Sequence, residues 1–188
     1  MTAPPTPATP PGGEPASEQD LAAVRRQLGR PARGVHAVGH RCGCGLPDVL
    51  TTEPRLPDGT PFPTTYYLTC PRLASLIGTL EGTGQMAGMQ DRLGDDPELA
   101  ARYAAAHERY LEARGAIEAD LGAVPEIAGV SAGGMPTRVK CLHALAAQSL
   151  AQGPGVNPFG DETLERVGQW WAQGPCVAAE DEPPGAAG

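Results

Sequence analysis

The sequence predicts an α+β fold, a small antiparallel sheet of about three strands covered by several helices. Two observations carry this expectation. Between residues 35 and 69 the chain runs in short alternating or β-branched segments separated by glycine- and proline-rich turns. From Pro71 onward the apolar residues recur three and four apart, the period of helices that bury one face.

Taken in order, Ser17 followed by Asp20 resembles a capping box. Leu21, Val24 and Leu28 then keep helical spacing until Gly29-Arg30-Pro31 ends the run. Val35 to Arg41 reads as a strand and Asp48 to Thr52 as its partner in a hairpin, with Cys42-Gly43-Cys44-Gly45 at the tip. Pro57-Asp58-Gly59 is a turn, since proline presets one dihedral and glycine accepts the unusual one. Thr64 to Thr69 is the third strand. At Cys70-Pro71 the period changes, and Leu73, Leu76, Ile77 and Leu80 mark one helical face. A glycine-interrupted helical piece carries Met86, Met89 and Leu93. Asp96-Pro97 then caps a long helix to about Ala119, with Leu99, Tyr103, Ala106, Tyr110 and Ile117 as its buried stripe. Val124 to Met135 reads as irregular. A helix is expected from Pro136 to about Gln152, and a last one, capped by Asp161, is expected to end in Trp170-Trp171.

A chain of 188 residues suits one domain, placed at 17–176. The segment 1–16 is rich in Pro, Thr, Gly and Ala, and 177–188 is an acidic Pro/Gly/Ala tail; both are expected to be disordered. No apolar run approaches the roughly 20 residues of a membrane span, and the first residues lack a signal-peptide pattern, so the expected location is cytoplasmic. A net charge of −8 supplies no basic field and argues against non-specific nucleic-acid binding. Lysine occurs once (Lys140) and asparagine once (Asn157) in a chain otherwise rich in Arg, Ala, Gly and Pro, and residues kept against that bias are expected to have a specific task.

Five cysteines in a reducing compartment argue against a disulfide framework. Cys42 and Cys44 lie at a turn, Cys70 where a strand hands over to a helix, and Cys141 in Val-Lys-Cys-Leu-His. Glycine beside Cys44 and proline after Cys70 are poor company for ordinary core packing, and a helix N-terminus favours the thiolate that a metal requires. The alternative is that these are small buried core residues or redox thiols. On a continuous helix Cys141 and His143 point apart, so either Cys141 precedes the helix or it joins the site alone; the second is the expectation. His40 is a reserve ligand on the strand, and Cys176 reads as incidental. Four thiolates suit Zn²⁺ and an iron–sulfur cluster equally.

His107-Glu108 begins like a zinc-protease helix but has Leu111 where the second histidine must stand. Ser131-Ala132-Gly133-Gly134 runs toward Arg138 and Lys140, and a glycine-rich loop entering a helix can cradle a phosphate. The alternative is a connector whose basic residues face water. Ser131 lacks a nucleophile elbow. Phe62, Tyr66, Tyr67, Trp170 and Trp171 read as core aromatics before they read as a pocket lining.

The stretches RQLGRPARGVHAVGHR (26–41), CGCGLPDV (42–49), PRLPDGTPFPTTYYLTCPRL (54–73) and SAGGMPTRVKCLHALAAQSLAQGPGVNPFGDE (131–162) closely resemble bacterial domain-of-unknown-function family 501, chiefly its actinobacterial branch. The likeness spans about residues 22–176. It implies a small cytosolic bacterial protein of a family without an assigned activity, similar to ones often encoded near an exopolyphosphatase and a small septum-formation protein. The segments it singles out hold Cys42, Cys70, Lys140, Cys141, His143, Asn157 and Phe159, and it leaves the role of Cys44 open.

Three functional readings follow. The first is metal binding through Cys42, Cys70 and Cys141, with Cys44 or His143 as fourth ligand. The second is an enzyme or sensor that binds a phosphorylated small molecule through Ser131, Gly133, Gly134, Arg138, Lys140 and His143. The third is a scaffold for cell-division or envelope partners.

Overall fold

The structure is a computed structural model, which describes residues 12–178. Its sheet has three strands in the order β1-β2-β3, with β1 Val35–Arg41, β2 Pro47–Thr52 and β3 Tyr66–Leu68. Both pairings are antiparallel, with Val38 opposite Leu50 and Val49 opposite Leu68. All six residues of the central strand β2 are buried. Successive side chains of a strand face opposite ways, so Leu50 joins Val38 and Val24 under helix α1 (Glu18–Leu28), whereas Val49 joins the main core on the other side. The sheet is thus covered on both faces, by α1 on one and by the remaining helices on the other, and its all-antiparallel pairing keeps it in the predicted α+β class.

Helix α1 begins with a full capping box: Ser17 and Asp20 each bond the other's backbone N–H through their side chains. Asp20 also takes two bonds from Arg41 of β1, at 2.7 and 2.9 Å, which fasten the helix to the sheet. The Arg41 guanidinium holds the Asp20 carboxyl well below the usual carboxylate range. Of the two expected disordered tails, 1–11 and 179–188 lie outside the described residues. Residues 12–16 run beside β1, where Glu14 bridges Val38.

The other side of the sheet is packed by α2 (Pro71–Gly82), α3 (Gln85–Asp95), α4 (Pro97–Leu121), α5 (Leu142–Gln152) and α6 (Pro158–Val167). Tyr103, Ala106, Tyr110 and Ile117 of α4 are fully buried, as the stripe predicted. Tyr110 accepts a bond from the Thr65 N–H and packs edge-on against Tyr66. Arg114 is buried too, its charge spread over the carbonyls of Pro63, Ile127 and Val130, so the irregular stretch after α4 is tied back to the helix.

Two helix boundaries differ from expectation. Residues 132–137 form a bend and successive turns rather than a helix, because Gly133 and Gly134 take positive φ and the N–H groups of Val139 and Lys140 go to Gln90 Oε1 and the Gly133 carbonyl instead of to carbonyls four residues back. Helix α5 therefore starts at Leu142. The last helix is capped by Asn157 rather than Asp161 and stops at Val167, where Gly168 takes φ 69, so Trp170 and Trp171 lie beyond it.

Asn157 is fully buried: its side chain caps α6 through the Gly160 N–H and donates to Gln148, which in turn bonds the Ala106 carbonyl. The only asparagine in the sequence thus has a specific task, while Lys140 is exposed to solvent. Beside Asn157, α6 crosses α5 so closely that a Cβ on Gly160 would stand 2.2 Å from the Leu145 carbonyl oxygen and 2.4 Å from Ser149 Oγ. The first obstacle is helix backbone and cannot swing away. Gly160→Ala is expected to destabilise the fold by about 3 kcal/mol, read as a lowered urea midpoint at unchanged slope.

Candidate metal centre

The tight β1–β2 turn is closed by Cys42 N–H to Leu46 O at 2.9 Å and by Gly45 N–H to Cys42 O at 2.8 Å. Gly45 takes φ 88, a conformation other residues adopt at a cost. The turn aims Cys42 and Cys44 to the same side. Cys70 sits one residue before Pro71 as the N-cap of α2, and its sulfur faces the Leu73 N–H at 3.5 Å. The fourth sulfur comes from the C-terminal segment. Cys176 Sγ lies 3.0 Å from Cys70 Sγ, 3.4 Å from Cys44 Sγ and 3.5 Å from Cys42 Sγ. The sulfurs of Cys42, Cys44 and Cys176 all fall within 4.8 Å of one another. All five cysteines are free thiols, the sulfur separations being far beyond the ~2.05 Å of a disulfide.

Two devices hold the C-terminal segment in place. Arg72, on the first turn of α2, donates to the carbonyls of Gly174 (2.8 Å), Pro175 (3.2 Å) and Trp170 (3.3 Å). The Trp171 ring lies against Gly43, where any Cβ would stand 2.7 Å from ring atoms. Trp170 and Trp171 meet edge to face at 4.5 Å. Glycine at 43 is thus required by close approach rather than by its own backbone angle.

Cys42, Cys70 and Cys176 are buried and Cys44 is half-buried. Burial pushes the Cys42 thiol up to about 11 and the Cys176 thiol higher still, the neighbouring thiols adding to the second shift. At Cys44 burial raises the thiol, but the N–H groups of Leu46 and Cys176 outweigh it and the net shift is downward. Cys42, Cys44 and Cys176 are soft donors near metal-binding distance of one another, and Cys70 joins them through Cys176.

Of the expected ligands, the structure brings together Cys42, Cys44 and Cys70, and Cys176 completes the set in place of Cys141. Cys176 was expected to be incidental. The glycine and proline just before it (Gly174-Pro175) are the same signal that marks the other three, and that signal could have found it.

Cys141 and His143 form a separate group with Glu81. Cys141 is the N-cap of α5, with φ −153 and ψ 105, so it stands outside the helix and its side chain is not constrained to oppose His143. The expectation that Cys141 acts without His143 is corrected on this point. His143 faces Glu81 Oε1 through Nδ1 at 3.2 Å and the Ala74 carbonyl through Nε2 at 3.0 Å. Burial raises the Cys141 thiol, yet its hydrogen bond with His143 and the Ala144 N–H turn the net shift downward. The same pairing with Cys141 lifts His143 to about 9. Nothing in the sequence marks Glu81, which reaches this group from the last turn of another helix.

His40 pairs with the buried Asp48 at 2.7 Å and stands in neither cysteine group. Ser131 Oγ is engaged by His107 at 2.8 Å. Gly133 and Gly134 lie in the turns preceding α5 rather than at its N-terminus, and Arg138 and Lys140 are exposed. Tyr66 and Trp170 are core residues. Phe62 and Tyr67 instead line a cavity of about 590 Å³ with Leu28, Pro31, Leu50 and Leu56.

Arg72→Leu is expected to release the C-terminal segment while keeping the aliphatic packing. Loss of three charge-assisted bonds corresponds to at least about 1.5 kcal/mol of local stability. Alkylation of Cys176 in metal-free protein should therefore accelerate by about tenfold or more, followed by peptide mass mapping.

No helix among the described residues is long and apolar enough to cross a membrane. No curated protein and no solved structure matches the chain. Residues 38–165 match the family described as "Protein of unknown function (DUF501)", a span that holds Cys42, Cys44, Cys70, Glu81, Cys141 and His143 and ends before Cys176. With most of its length matched in this way, the chain belongs to the DUF501 family.

Proposed function

We propose that the protein binds one Zn²⁺ ion through Cys42, Cys44, Cys70 and Cys176, in a closed site that fastens the C-terminal segment to the sheet and to α2. The observation that carries this reading is the convergence of the Cys176 sulfur on the other three, at 3.0–3.5 Å. Four sulfurs ~2.3 Å from one tetrahedral zinc lie roughly 3.8 Å apart, so a single ion fits when Cys176 Sγ moves outward from the other three and Cys70 Sγ, which lies outside the group of three within 4.8 Å, closes toward Cys42 and Cys44. An iron–sulfur cluster spreads its thiolates over several irons and needs a wider cage. Core packing is a poor rival, because Gly43, Gly45, Pro71, Gly174 and Pro175 surround the sulfurs with residues that shape backbone rather than fill space. With every position taken by sulfur, the ion has no place for substrate, and its role is structural.

The chemistry sets the pH dependence. Thiols raised by burial, as at Cys42 and Cys176, are protonated at neutral pH when no metal is bound, and each gives up its proton to the solvent on binding. Raising the pH therefore favours the bound state. Between pH 6 and 8 the zinc affinity is expected to rise by at least about 100-fold per unit, one factor of ten for each of these two thiols.

Metal analysis by mass spectrometry on anaerobically purified protein is expected to find zinc, and Cys176→Ser is expected to lose the ion of this site. Removal of zinc by a chelator should lower the melting temperature by about 10 °C or more. Iron in place of zinc would overturn the choice of metal. Zinc binding that survives Cys176→Ser together with Cys70→Ser would overturn the site.

A further inference from the structure

We infer that Glu81, Cys141 and His143 form a second metal site, distinct from the four-cysteine cluster, that holds Zn²⁺ through three protein ligands and leaves one position open to solvent. The inference does not depend on the first site, with which it shares no residue.

The donor set is the first argument. A thiolate, an imidazole nitrogen and a carboxylate oxygen from two helices lie within 4.8 Å of one another. The His143 Nδ1 to Glu81 Oε1 separation is 3.2 Å, close to the roughly 3.4 Å expected of N and O ligands ~2.0–2.2 Å from one tetrahedral zinc. Mixed sulfur, nitrogen and oxygen donors suit this borderline ion, whereas Ca²⁺ and Mg²⁺ take oxygen.

The orientation of the imidazole is the second. A histidine that ligates a metal through one nitrogen almost always donates the other N–H to a carbonyl or carboxylate, which fixes its tautomer and ring plane. Here Nε2 is 3.0 Å from the Ala74 carbonyl. With the Nε2–H committed there, Nδ1 is the nitrogen that faces Glu81 and Cys141; without metal a proton on Nδ1 joins it to Glu81, and Zn²⁺ takes the place of that proton among the same three donors. Glu81 is itself held in place, since its Oε1 accepts the Leu142 N–H at 2.7 Å.

The third is access. Glu81, Cys141 and His143 are each only half-buried, in contrast to Cys70 at 0 % exposure in the other cluster. Three protein ligands with a solvent position is the pattern of zinc sites that exchange a ligand. Water is the natural fourth donor.

The test is a stoichiometric titration of the metal-free 188-residue chain with Zn²⁺, followed by brief alkylation with iodoacetamide and peptide mass mapping. Two equivalents are expected to bind. Cys141 should lose its reactivity, by about tenfold or more, over a different part of the titration from Cys42, Cys44, Cys70 and Cys176. His143→Gln and Glu81→Gln should each bind one equivalent fewer and leave Cys141 reactive at excess zinc, while the other four cysteines stay protected. Cys141 reacting at an unchanged rate in the unsubstituted protein at excess zinc would overturn the inference without the need for any variant to fold. So would two equivalents retained by His143→Gln. The two sites fail separately: protection of Cys141 alone would sink the four-cysteine proposal and leave this one, and protection of the other four alone would do the reverse.

Discussion

The sulfur of Cys176 meets that of Cys70 across a sequence separation of 106 residues and that of Cys42 across 134, and the architecture of the site depends on this return. Closing so long a loop costs chain entropy, though the cost grows only with the logarithm of length. The contacts that offset it are local to the segment. Arg72 donates to three carbonyls of the segment, and the Trp171 ring lies against the backbone of Gly43. Neither device is a thiol. The sulfurs are brought together by an arginine and a tryptophan, and their convergence then creates a buried cluster whose protons a metal would displace.

Helix α2 links the two cysteine groups. At its start, the N-terminal dipole and the Leu73 N–H favour negative charge on Cys70. At its end the dipole has the opposite sign and disfavours a carboxylate, so Glu81 needs compensation from elsewhere. Helix α5 supplies it. Cys141 is the N-cap residue of α5, and Glu81 accepts the Leu142 N–H at the first position of that helix. A carboxylate unfavourably placed on its own helix thereby caps a neighbouring one. The same exchange draws Cys141 and His143 toward Glu81 and fixes how α2 and α5 pack, with Leu73, Ile77, Leu142 and Leu145 fully buried in one core.

What could be read from the sequence was what depends on local pattern. The hairpin with cysteines at its tip, Cys70 at a strand-to-helix junction and the stripe of α4 all rest on spacing or on turn chemistry within a few residues. Helix α5 was expected from Pro136 and begins at Leu142. The Gly133 carbonyl and Gln90 Oε1 take the N–H groups of Lys140 and Val139 that a helix would use. Cys176 was misread because the sequence around it looks like tail, and nothing local announces that Arg72 will bind its backbone. Composition worked once and failed once. Asn157 is the hinge of a buried amide network, while Lys140 lies exposed and nothing in the structure explains its retention.

The two groups differ in what would disturb them. The four-cysteine cluster takes its last ligand from a segment held by one arginine and one aromatic contact, so its integrity reports whether residues 168–178 are docked. The Glu81 group draws its ligands from two helices fixed by the central core and stays intact as long as α2 and α5 remain packed. With zinc bound as proposed, a closed set of sulfurs that includes Cys176 would act as a clasp, because the ion and the docking of the segment would stabilise each other. An open set on rigid helices can exchange its solvent ligand without any movement of the fold. Of the two proposed sites, the half-buried group of Glu81, Cys141 and His143 is therefore the one with room for a reacting ligand.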